Sequence, residues 1–514
     1  MILSEKNIEQ IIIICKTVFI QNSIYAKLYC IYADIMQILT KNMLCIIRRR
    51  IQLPVRYFPR HSLGNAHGRN NLLSFLALPI RDYSLLFVPA QGGGMEIIMA
   101  AYKITPGTKI GGEVRISGSK NASLPIIAAS LLSDGQTVLH NIPRLSDTEN
   151  MCDLITSAGS SVKFENEHDL IISPGGITPK ASHMEQASKL RASFLIIGPM
   201  LAKYGWAKIP LPGGCRIGAR PIDLHLKGFT AMGAKIRQGH GYVELKCDRL
   251  NPTRIYLDFP SVGATENLMN AACLIDGETV IENAATEPEV VDLAGFLTAM
   301  GADIYGAGTD TVRIIGKKRL GHAEYTIIPD RIEAGTFMLI AAVTKSNLRL
   351  ENVISDHLKP VIAKLNEAGI CITERGGCLE VIPCERIKAV DIKTLPYPGF
   401  PTDMQAQFMS LMSVADGTGV VVETVFENRF MQVPELIRMG AKIKIDGRTA
   451  VIDGTKRLSG AKVKATDLRA GAALVIAALA AQGDSEIENT EHIERGYERF
   501  EEKLSAIGVN IKKE

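Results

Sequence analysis

Signatures of several common protein classes are missing from this chain of 514 residues. Aromatic residues make up only 6%, with a single tryptophan. The ten cysteines form no CxxC pair, and their spacings from histidine match no zinc module, so free thiols are expected rather than disulfides or a metal site. Apolar residues reach 46% and charged residues 22%, which excludes a disordered chain and predicts a globular one.

Net charge is also scarce, and it is unevenly distributed. The whole chain carries +4 at neutral pH. Residues 1–98 hold 11 Lys and Arg against 5 Asp and Glu, whereas the remainder holds 47 against 49. The main body therefore has no global field that would attract nucleic acid or a membrane surface, and neither is expected as a partner. Any anion site must be built locally.

The first 98 residues differ from the rest. Their apolar start is interrupted by Lys16 and Lys27, so it has no run of about 18 uncharged apolar residues that could span a membrane. The basic start and small-residue cleavage site of a signal peptide are not evident. We expect residues 1–98 to be upstream sequence translated in frame, or disordered, with the true start at Met95 or Met99. A cytoplasmic location is expected.

A short pattern recurs six times after residue 98. Each copy has an apolar residue four positions before a glycine, another one position before it, and Val or Ile three positions after it. The glycines, separated by 74, 68, 68, 71 and 68 residues, are Gly159, Gly233, Gly301, Gly369, Gly440 and Gly508. The apolar pair marks one helix face, the glycine suits a left-handed helix end, and the Val or Ile begins a strand. This regularity indicates internal duplication with a unit of about 70 residues.

Each unit also contains an Ala-rich helix upstream of its glycine. These helices are apolar nearly all round and should be buried. The polar or charged residues near their starts are Lys120, Arg191, Glu266, Arg331, Asp403 and Arg469. Helix N-termini carry partial positive charge and unpaired N–H groups, so N-termini that face one cleft would bind anions. For each residue alone, an ordinary cap or first-turn charge is the open alternative.

Three motifs carry reactive side chains. The segment from Leu211 to His225, rich in glycine and proline, is predicted to be a loop, and its Cys215 suggests a lid over a site. Lys120 follows Ser-Gly-Ser at a helix start, where it suits a phosphate. Asp403 follows Pro-Thr, either as a first-turn acid or as a carboxylate that accepts a proton. For the cysteine and the lysine, the alternatives are a loop thiol without a role and a solvated charge.

These motifs, LPGGCRIGARPIDLH, SGSKN and FPTDM, resemble those of the UDP-N-acetylglucosamine enolpyruvyl transferases. The resemblance covers residues 99–514 and implies an α/β fold with two domains, each an inside-out α/β barrel of three repeats with helices inside and sheets outside. It implies a first domain of residues 99–119 plus 328–514 and a second of residues 120–327.

The resemblance further implies a reaction. The enolpyruvyl group of phosphoenolpyruvate would pass to the 3-hydroxyl of UDP-N-acetylglucosamine with release of phosphate, the first committed step of peptidoglycan synthesis. No cofactor or metal is implied, and a monomer is expected. Cys215 would be the general acid and the thiol alkylated by fosfomycin, while Asp403 would act near the 3-hydroxyl and Lys120 on the donor phosphate.

The resemblance also implies two sets of binding residues. For phosphoenolpyruvate they are Lys120, Arg220, Arg495, Arg429 and Arg469. For the sugar nucleotide they are Asn121, Arg191, Arg220, Pro221, Ile222, Asp223, Leu224, Ser261, Val262, Gly263, Asp403 and Val425. Two alternatives stay open: an enolpyruvylshikimate phosphate synthase, which shares the fold and donor, and a non-catalytic paralogue that binds the UDP-sugar.

Overall fold

The computed structural model describes residues 100–107, 109–175, 187, 190–211 and 222–514, together with the strand backbone of residues 86–89 and 95–98. The side chain of Arg191 is not among the described atoms. All the described residues belong to one compact unit, Pro79–Glu514.

The secondary structure alternates short strands with helices. In chain order the strands are β1 (Leu86–Pro89), β2 (Met95–Ile98), β3 (Ala101–Thr105), β4 (Glu113–Arg115), β5 (Thr137–His140), β6 (Ser161–Phe164), β7 (Leu170–Ser173), β8 (Trp206–Pro210), β9 (Lys235–Gly239), β10 (Tyr242–Lys246), β11 (Arg254–Tyr256), β12 (Glu278–Glu282), β13 (Asp303–Tyr305), β14 (Thr311–Ile315), β15 (Glu324–Thr326), β16 (Leu348–Glu351), β17 (Cys371–Arg375), β18 (Cys378–Ile382), β19 (Ile392–Lys393), β20 (Thr418–Val422), β21 (Lys442–Asp446), β22 (Thr449–Asp453), β23 (Leu458–Ser459), β24 (Lys462–Lys464), β25 (Ala481–Gln482), β26 (Ser485–Glu488) and β27 (Asn510–Lys513). The α-helices are α1 (Lys120–Ala129), α2 (Ser146–Ser157), α3 (Ile197–Tyr204), α4 (Asp223–Ala231), α5 (Val262–Ala272), α6 (Pro288–Ala299), α7 (Arg331–Val343), α8 (Lys359–Glu367), α9 (Gln405–Met412), α10 (Val433–Arg438), α11 (Leu468–Leu479), α12 (Glu491–Glu494) and α13 (Phe500–Ala506).

Five four-stranded sheets among the described residues share one arrangement, in which a parallel pair is followed by two antiparallel neighbours. Their strand orders are β15-β5-β7-β6, β11-β12-β14-β13, β4-β16-β18-β17, β19-β20-β22-β21 and β24-β26-β3-β27. A sixth sheet, β8-β10-β9, consists of three antiparallel strands and so corresponds to the antiparallel part of the other five. Strand β3 pairs with β26 and β27 near the C-terminus, so the two ends of the described chain complete one repeat together.

Two hydrophobic cores lie beneath these sheets. One contains residues from 102–116 and 332–511, and the other contains residues from 122–327. Helices fill the interior: α7 buries 11 of its 13 residues, and α11 buries 11 of its 12. Many strands bury alternate residues on one face, as in β7 and β8, so the sheets lie outside the helices. The domain boundaries inferred from the sequence remain a prediction.

The repeated glycines end the second helix of each unit. All six have φ between 94° and 118°, which confirms the predicted left-handed helix ends. At Gly301, the N–H donates to Thr298 and the next N–H, of Ala302, donates to Leu297. These two hydrogen bonds close the last helical turn. The second acceptor is the backbone carbonyl of Leu297, four positions before the glycine, and the equivalent bond is present in all six units.

Four predictions about local structure need correction. Glu266 does not open a helix, because α5 begins four residues earlier, after Ser261 caps it through a 3.4 Å bond from Ala264 N–H. Asp403 lies in a 3-10 turn, Thr402–Met404, that precedes α9. Asp223 and His225 were assigned to the loop but lie in the first turn of α4.

Candidate functional site

Some of the predicted site falls on residues that the structure does not describe. Cys215, Arg220 and Pro221 lie outside the described residues, as does the side chain of Arg191. The backbone of Arg191 begins a 3-10 turn, Arg191–Ile196. The remaining predicted residues lie at helix starts or in turns, where they can be examined individually.

Lys120 and Asn121 are the first two residues of α1. The Ser119 side chain caps this helix by accepting from Ala122 N–H at 3.3 Å. The Lys120 N–H donates to Asp330, the cap of α7, at 3.3 Å. Two helix starts, one from each core, therefore meet at this point.

Lys120 belongs to a charged cluster that we call the Asp147 cluster, formed by Lys120, Asp147 and Arg495. Arg495 donates from Nε and Nη2 to Oδ1 of Asp147 at 3.1 and 3.0 Å. Lys120 Nζ donates to the other oxygen, Oδ2, at 3.3 Å. Only 8% of the Asp147 side chain is exposed, against 12% for Lys120 and 42% for Arg495. Burial would raise the pKa of Asp147, but the charges of Lys120 and Arg495 outweigh it and lower that pKa.

Sequence reasoning missed Asp147, although the repeats contain a signal for it. Asp147 lies 12 positions before its repeat glycine, Gly159, at the second position of α2. Arg495 lies 13 positions before Gly508, in the equivalent part of its own repeat. The stretch 12 or 13 residues before the repeat glycine thus holds a charged member of the cluster in these two repeats.

A second cluster, the Asp403 cluster, consists of Asp403, Arg429 and Arg469. Arg429 Nη2 donates to Oδ1 of Asp403 at 2.7 Å, and Arg469 Nη2 donates to Oδ2 at 2.9 Å. Each arginine side chain is only 4% exposed, whereas 27% of Asp403 remains exposed. Burial opposes ionisation, but Arg469 and Arg429 hold the pKa of Asp403 well below its usual range. The carboxylate is therefore ionised at neutral pH.

Tyr497 connects the segment that contains Arg495 to the Asp403 cluster. It follows Arg495 by two residues, and its ring centroid lies 5.6 Å from Cζ of Arg469. Its hydroxyl accepts from Gln407 Nε2 at 3.2 Å, and the same amide group donates to the Asp403 backbone oxygen at 2.8 Å. Each cluster has two cations and one carboxylate, so each carries a net charge of +1. Together they offer a local excess of positive charge for a multiply charged anion.

The carboxylate of Glu423 positions the turn that contains Val425. It is fully buried, and its Oε1 accepts from the N–H groups of Val425 and Phe426 at 2.8 and 3.1 Å. Its Oε2 accepts from the hydroxyl of Thr402 at 2.9 Å. Because Thr402 precedes Asp403, Glu423 ties the Val425 turn to the Asp403 cluster.

The residues predicted to contact the nucleotide lie at the starts of α4 and α5. Ile222 precedes α4, and Asp223 and Leu224 are its first two residues, while Ser261, Val262 and Gly263 form the start of α5. The two starts are neighbours, because a Cβ placed on Gly263 would lie 3.5 Å from Cε1 of His225.

His225 itself is not a lid residue. Its ring packs edge-on against Phe194, with centroids 5.0 Å apart, and Asn267 Nδ2 lies 3.1 Å from its Nδ1. Burial lowers the pKa of His225 to about 4, so the ring is neutral at physiological pH. The histidine of the motif therefore serves packing between α4 and α5.

Two of the predicted helix-start residues, Arg331 and Glu266, do not offer an unpaired positive charge. Arg331 begins α7 as predicted, but Glu289 binds it through two bonds of 2.9 and 3.2 Å, with 11% and 4% of the two side chains exposed. Glu266 is buried in α5, where burial raises the pKa of its carboxyl group well above the ordinary value, and a carboxyl group carries no positive charge in either protonation state. Positive potential is thus provided by the Asp147 and Asp403 clusters rather than by every helix start.

Among the described residues, no three His, Cys, Asp or Glu side chains are arranged to hold a metal ion. Over the same residues, no helix is both long and apolar enough to cross a membrane.

Known proteins resemble this chain over most of its length. The sequence model of the EPSP synthase family (3-phosphoshikimate 1-carboxyvinyltransferase) matches residues 104–504. A UDP-N-acetylglucosamine 1-carboxyvinyltransferase 1 of Caldanaerobacter subterraneus subsp. tengcongensis is 60% identical, covering 78% of this chain and 96% of the relative. A UDP-N-acetylglucosamine 1-carboxyvinyltransferase of Halothermothrix orenii is 55% identical, covering 81% and 100%.

Solved structures give the same fold. The enolpyruvyl transferase NikO from Streptomyces tendae has 24% identity and a TM-score of 0.74, covering 81% of this chain and 99% of that one. An EPSP synthase from Acinetobacter baumannii has 18% identity and a TM-score of 0.64, covering 81% and 100%. These structures confirm the predicted enolpyruvyl transferase fold. The family model and the curated relatives show that the protein is a carboxyvinyltransferase. Given the identities of 55–60%, the chain belongs to the UDP-N-acetylglucosamine 1-carboxyvinyltransferase family of enzymes.

Proposed function

We propose that this enzyme transfers the enolpyruvyl group of phosphoenolpyruvate to the 3-hydroxyl of UDP-N-acetylglucosamine and releases phosphate. The observation that carries the proposal is the pair of linked clusters, each with a net charge of +1, at helix starts drawn from both cores. Phosphoenolpyruvate bears a phosphate and a carboxylate, and lysine and arginine donors suit both groups. The names of the relatives that are 53–60% identical support the sugar nucleotide as acceptor.

The proposed roles are those that the resemblance to the enolpyruvyl transferases implies, and the two clusters support the roles of Lys120, Arg495, Arg429 and Arg469. Lys120, Arg220 and Arg495 bind the donor phosphate, while Arg429 and Arg469 neutralise the remaining donor charge. Cys215 gives a proton and Asp403 takes one. Asn121, Arg191, Val425 and the residues at the starts of α4 and α5 bind the sugar nucleotide.

The proposed chemistry is addition followed by elimination. Protonation of the donor methylene carbon creates positive character at C2, and the sugar 3-hydroxyl attacks that carbon while losing its proton. The tetrahedral intermediate then loses phosphate together with a proton from the methyl group, which restores the double bond as an enol ether. Acid–base and electrostatic catalysis suffice for this sequence because no atom changes its net redox level between reactants and products, so no cofactor is proposed.

The geometry of Asp403 adds a condition on its role as a base. A carboxylate whose pKa is held low is a weak proton acceptor. The pKa of Asp403 rises only when Arg429 and Arg469 donate some of their hydrogen bonds to the donor instead of to Asp403. Donor binding and activation of the base are therefore coupled through the same two guanidinium groups.

The other acceptor considered is shikimate 3-phosphate. The EPSP synthase structures share only 18–19% identity with this chain, whereas sugar-nucleotide enzymes share more than half of the aligned residues. We further propose that the enzyme acts in the cytoplasm as a monomer, at the first committed step of peptidoglycan synthesis.

A phosphate-release assay tests the proposal. Purified enzyme is incubated with phosphoenolpyruvate and either UDP-N-acetylglucosamine or shikimate 3-phosphate, with and without fosfomycin. We expect phosphate release when UDP-N-acetylglucosamine is the acceptor but not when shikimate 3-phosphate is, and we expect fosfomycin to abolish it. Release with shikimate 3-phosphate would replace the proposed acceptor, and tight UDP-sugar binding with zero turnover would indicate a non-catalytic paralogue.

A further inference from the structure

Asp147, which is not among the binding residues assigned above, lies between two of them. Its carboxylate is contacted by two cations from different parts of the fold, Lys120 at the start of α1 and Arg495 at the end of α12. Asp147 and Lys120 belong to segments of one core, and Arg495 belongs to a segment of the other. The chain distance between Asp147 and Arg495 is 348 residues.

The hydrogen-bonding capacity of the two cations is only partly used by Asp147. Arg495 directs Nε and Nη2 to one carboxylate oxygen, which leaves Nη1 for another acceptor. Lys120 has three N–H bonds and directs one of them to Asp147. Each cation can therefore hold Asp147 and an external anion at the same time.

Without a carboxylate between them, these cations would repel each other. Two like charges at close range are unfavourable in a partly buried site, where solvent screening is weak. Asp147 is 8% exposed and both its oxygens are engaged, so its own orientation is restricted. Asp147 can therefore orient the two cations, in the way that a hydrogen-bonded carboxylate behind a metal ligand orients that ligand.

We propose that Asp147 is a positioning residue, which holds Lys120 and Arg495 in the spacing that receives the phosphate of phosphoenolpyruvate. The proposal rests on the proposed function, because it takes the donor from there. Asp147 does not itself contact the donor, since a carboxylate would repel a phosphate. Its effect should therefore appear in donor affinity and phosphate affinity, and not in affinity for the sugar nucleotide.

The test compares Asp147→Asn and Asp147→Glu with a matched control, Asp292→Asn. Asp292 is another buried aspartate, 4% exposed, which accepts from the Tyr325 hydroxyl at 2.8 Å and from Ile328 N–H at 3.3 Å. Steady-state kinetics give kcat and the KM of each substrate, inorganic phosphate gives a product inhibition constant, and thermal melting reports the fold. A purely structural role would make the two Asn variants alike.

Asp147→Asn should raise the KM for phosphoenolpyruvate and the inhibition constant of phosphate about tenfold or more, because a misplaced binding group costs up to about 100-fold. The KM for UDP-N-acetylglucosamine should stay within about threefold. Asp147→Glu, which keeps the charge but moves it, should raise the donor KM only severalfold. Asp292→Asn should lower the melting temperature without changing either KM by more than about threefold.

Equal changes in the Asp147→Asn and Asp292→Asn variants would overturn the proposal, as would a lower donor KM, which would make Asp147 a competitor of the donor. If Asp147→Asn does not fold, an unchanged donor KM in Asp147→Glu would overturn it instead. If the unaltered enzyme turned over neither acceptor, the proposed function would fail. Calorimetric binding of inorganic phosphate to the enzyme and its Asp147 variants would still decide the role of Asp147.

Discussion

Replacing Asp403 by Asn would remove the charge between two arginines that are almost fully buried. Arg429 and Arg469 expose only 4% of their side chains and lie 2.7 and 2.9 Å from the two oxygens of Asp403. Removing one partner of a buried ion pair costs about 3–5 kcal/mol. Because 27% of Asp403 is exposed and Asn keeps one acceptor oxygen, we expect a loss smaller than that range, about 2–3 kcal/mol of unfolding free energy.

The pH dependence of this loss has a defined sign. The pKa of Asp403 is lower in the folded enzyme than in the unfolded chain, so its contribution to stability is complete above the unfolded value of about 3.9. That contribution is lost progressively as the pH falls below the unfolded value, and it is gone once the pH has passed through the folded pKa. The difference in urea unfolding free energy between the enzyme and the Asp403→Asn variant should therefore be constant from pH 5 to pH 8. A difference that changes across this range would refute the ionised, doubly paired Asp403.

The same variant separates catalysis from binding. Loss of a general base lowers turnover by about 100- to 10,000-fold. Loss of one charged hydrogen bond to the sugar nucleotide weakens binding by about 1.5–3 kcal/mol. Phosphate release and calorimetric titration with UDP-N-acetylglucosamine measure the two effects. Equal losses in turnover and binding would show that Asp403 serves only to hold its arginines.

Three further outcomes are expected. Cys215→Ser should impair turnover and prevent covalent labelling by fosfomycin in intact-mass spectra; a labelled variant would contradict the assignment. Gly301→Ala should lower the unfolding free energy by about 1–2 kcal/mol, because Gly301 has φ of 101° and no heavy atom within 4 Å of the added Cβ, so the cost is backbone strain alone. Gly321→Ala, where no positive φ is required, is the control in urea unfolding, and equal costs would refute the argument. His225 should stay neutral down to about pH 5, since burial lowers its pKa to about 4; an imidazole NMR signal that titrates near pH 6.5 would contradict its packing role.

A repeated feature that the sequence reasoning missed lies at the strand ends. Asn141, Asn283, Asn352 and Asn489 all have positive φ, and each side-chain amide donates to a backbone oxygen of a neighbouring strand or loop. In the fifth unit Thr424 replaces the asparagine, and its hydroxyl donates to Thr394 at 2.6 Å. The sequence contains an Asn directly after a strand in each of these four units, but only the folded chain shows that each amide binds a backbone oxygen of another segment.

Local sequence was sufficient for the repeats, because each one depends on contacts between neighbours in the chain. The glycine at the end of each second helix, the apolar acceptor four residues earlier and the following strand all lie within about eight residues. The same holds for the helix starts at Lys120 and Arg331. Glu266 was misplaced because a cap at Ser261 and a charged residue one turn later are alternative helix starts when only the sequence is read.

Pairing of charge was decided by the tertiary structure alone. The resemblance in sequence predicts Lys120, Arg495, Arg429 and Arg469 as cations for one donor, but it does not show that Asp147 and Asp403 each lie between two of them. Arg469 is 66 residues from Asp403, and Arg495 is 348 residues from Asp147. Coulomb interactions depend on distance in space and on burial, neither of which is encoded by spacing along the chain. The charged residue types are therefore evident from the sequence. The pairing of Asp147 and Asp403 with cations, and the lowered pKa of each carboxylate, depend on the packing of the two cores.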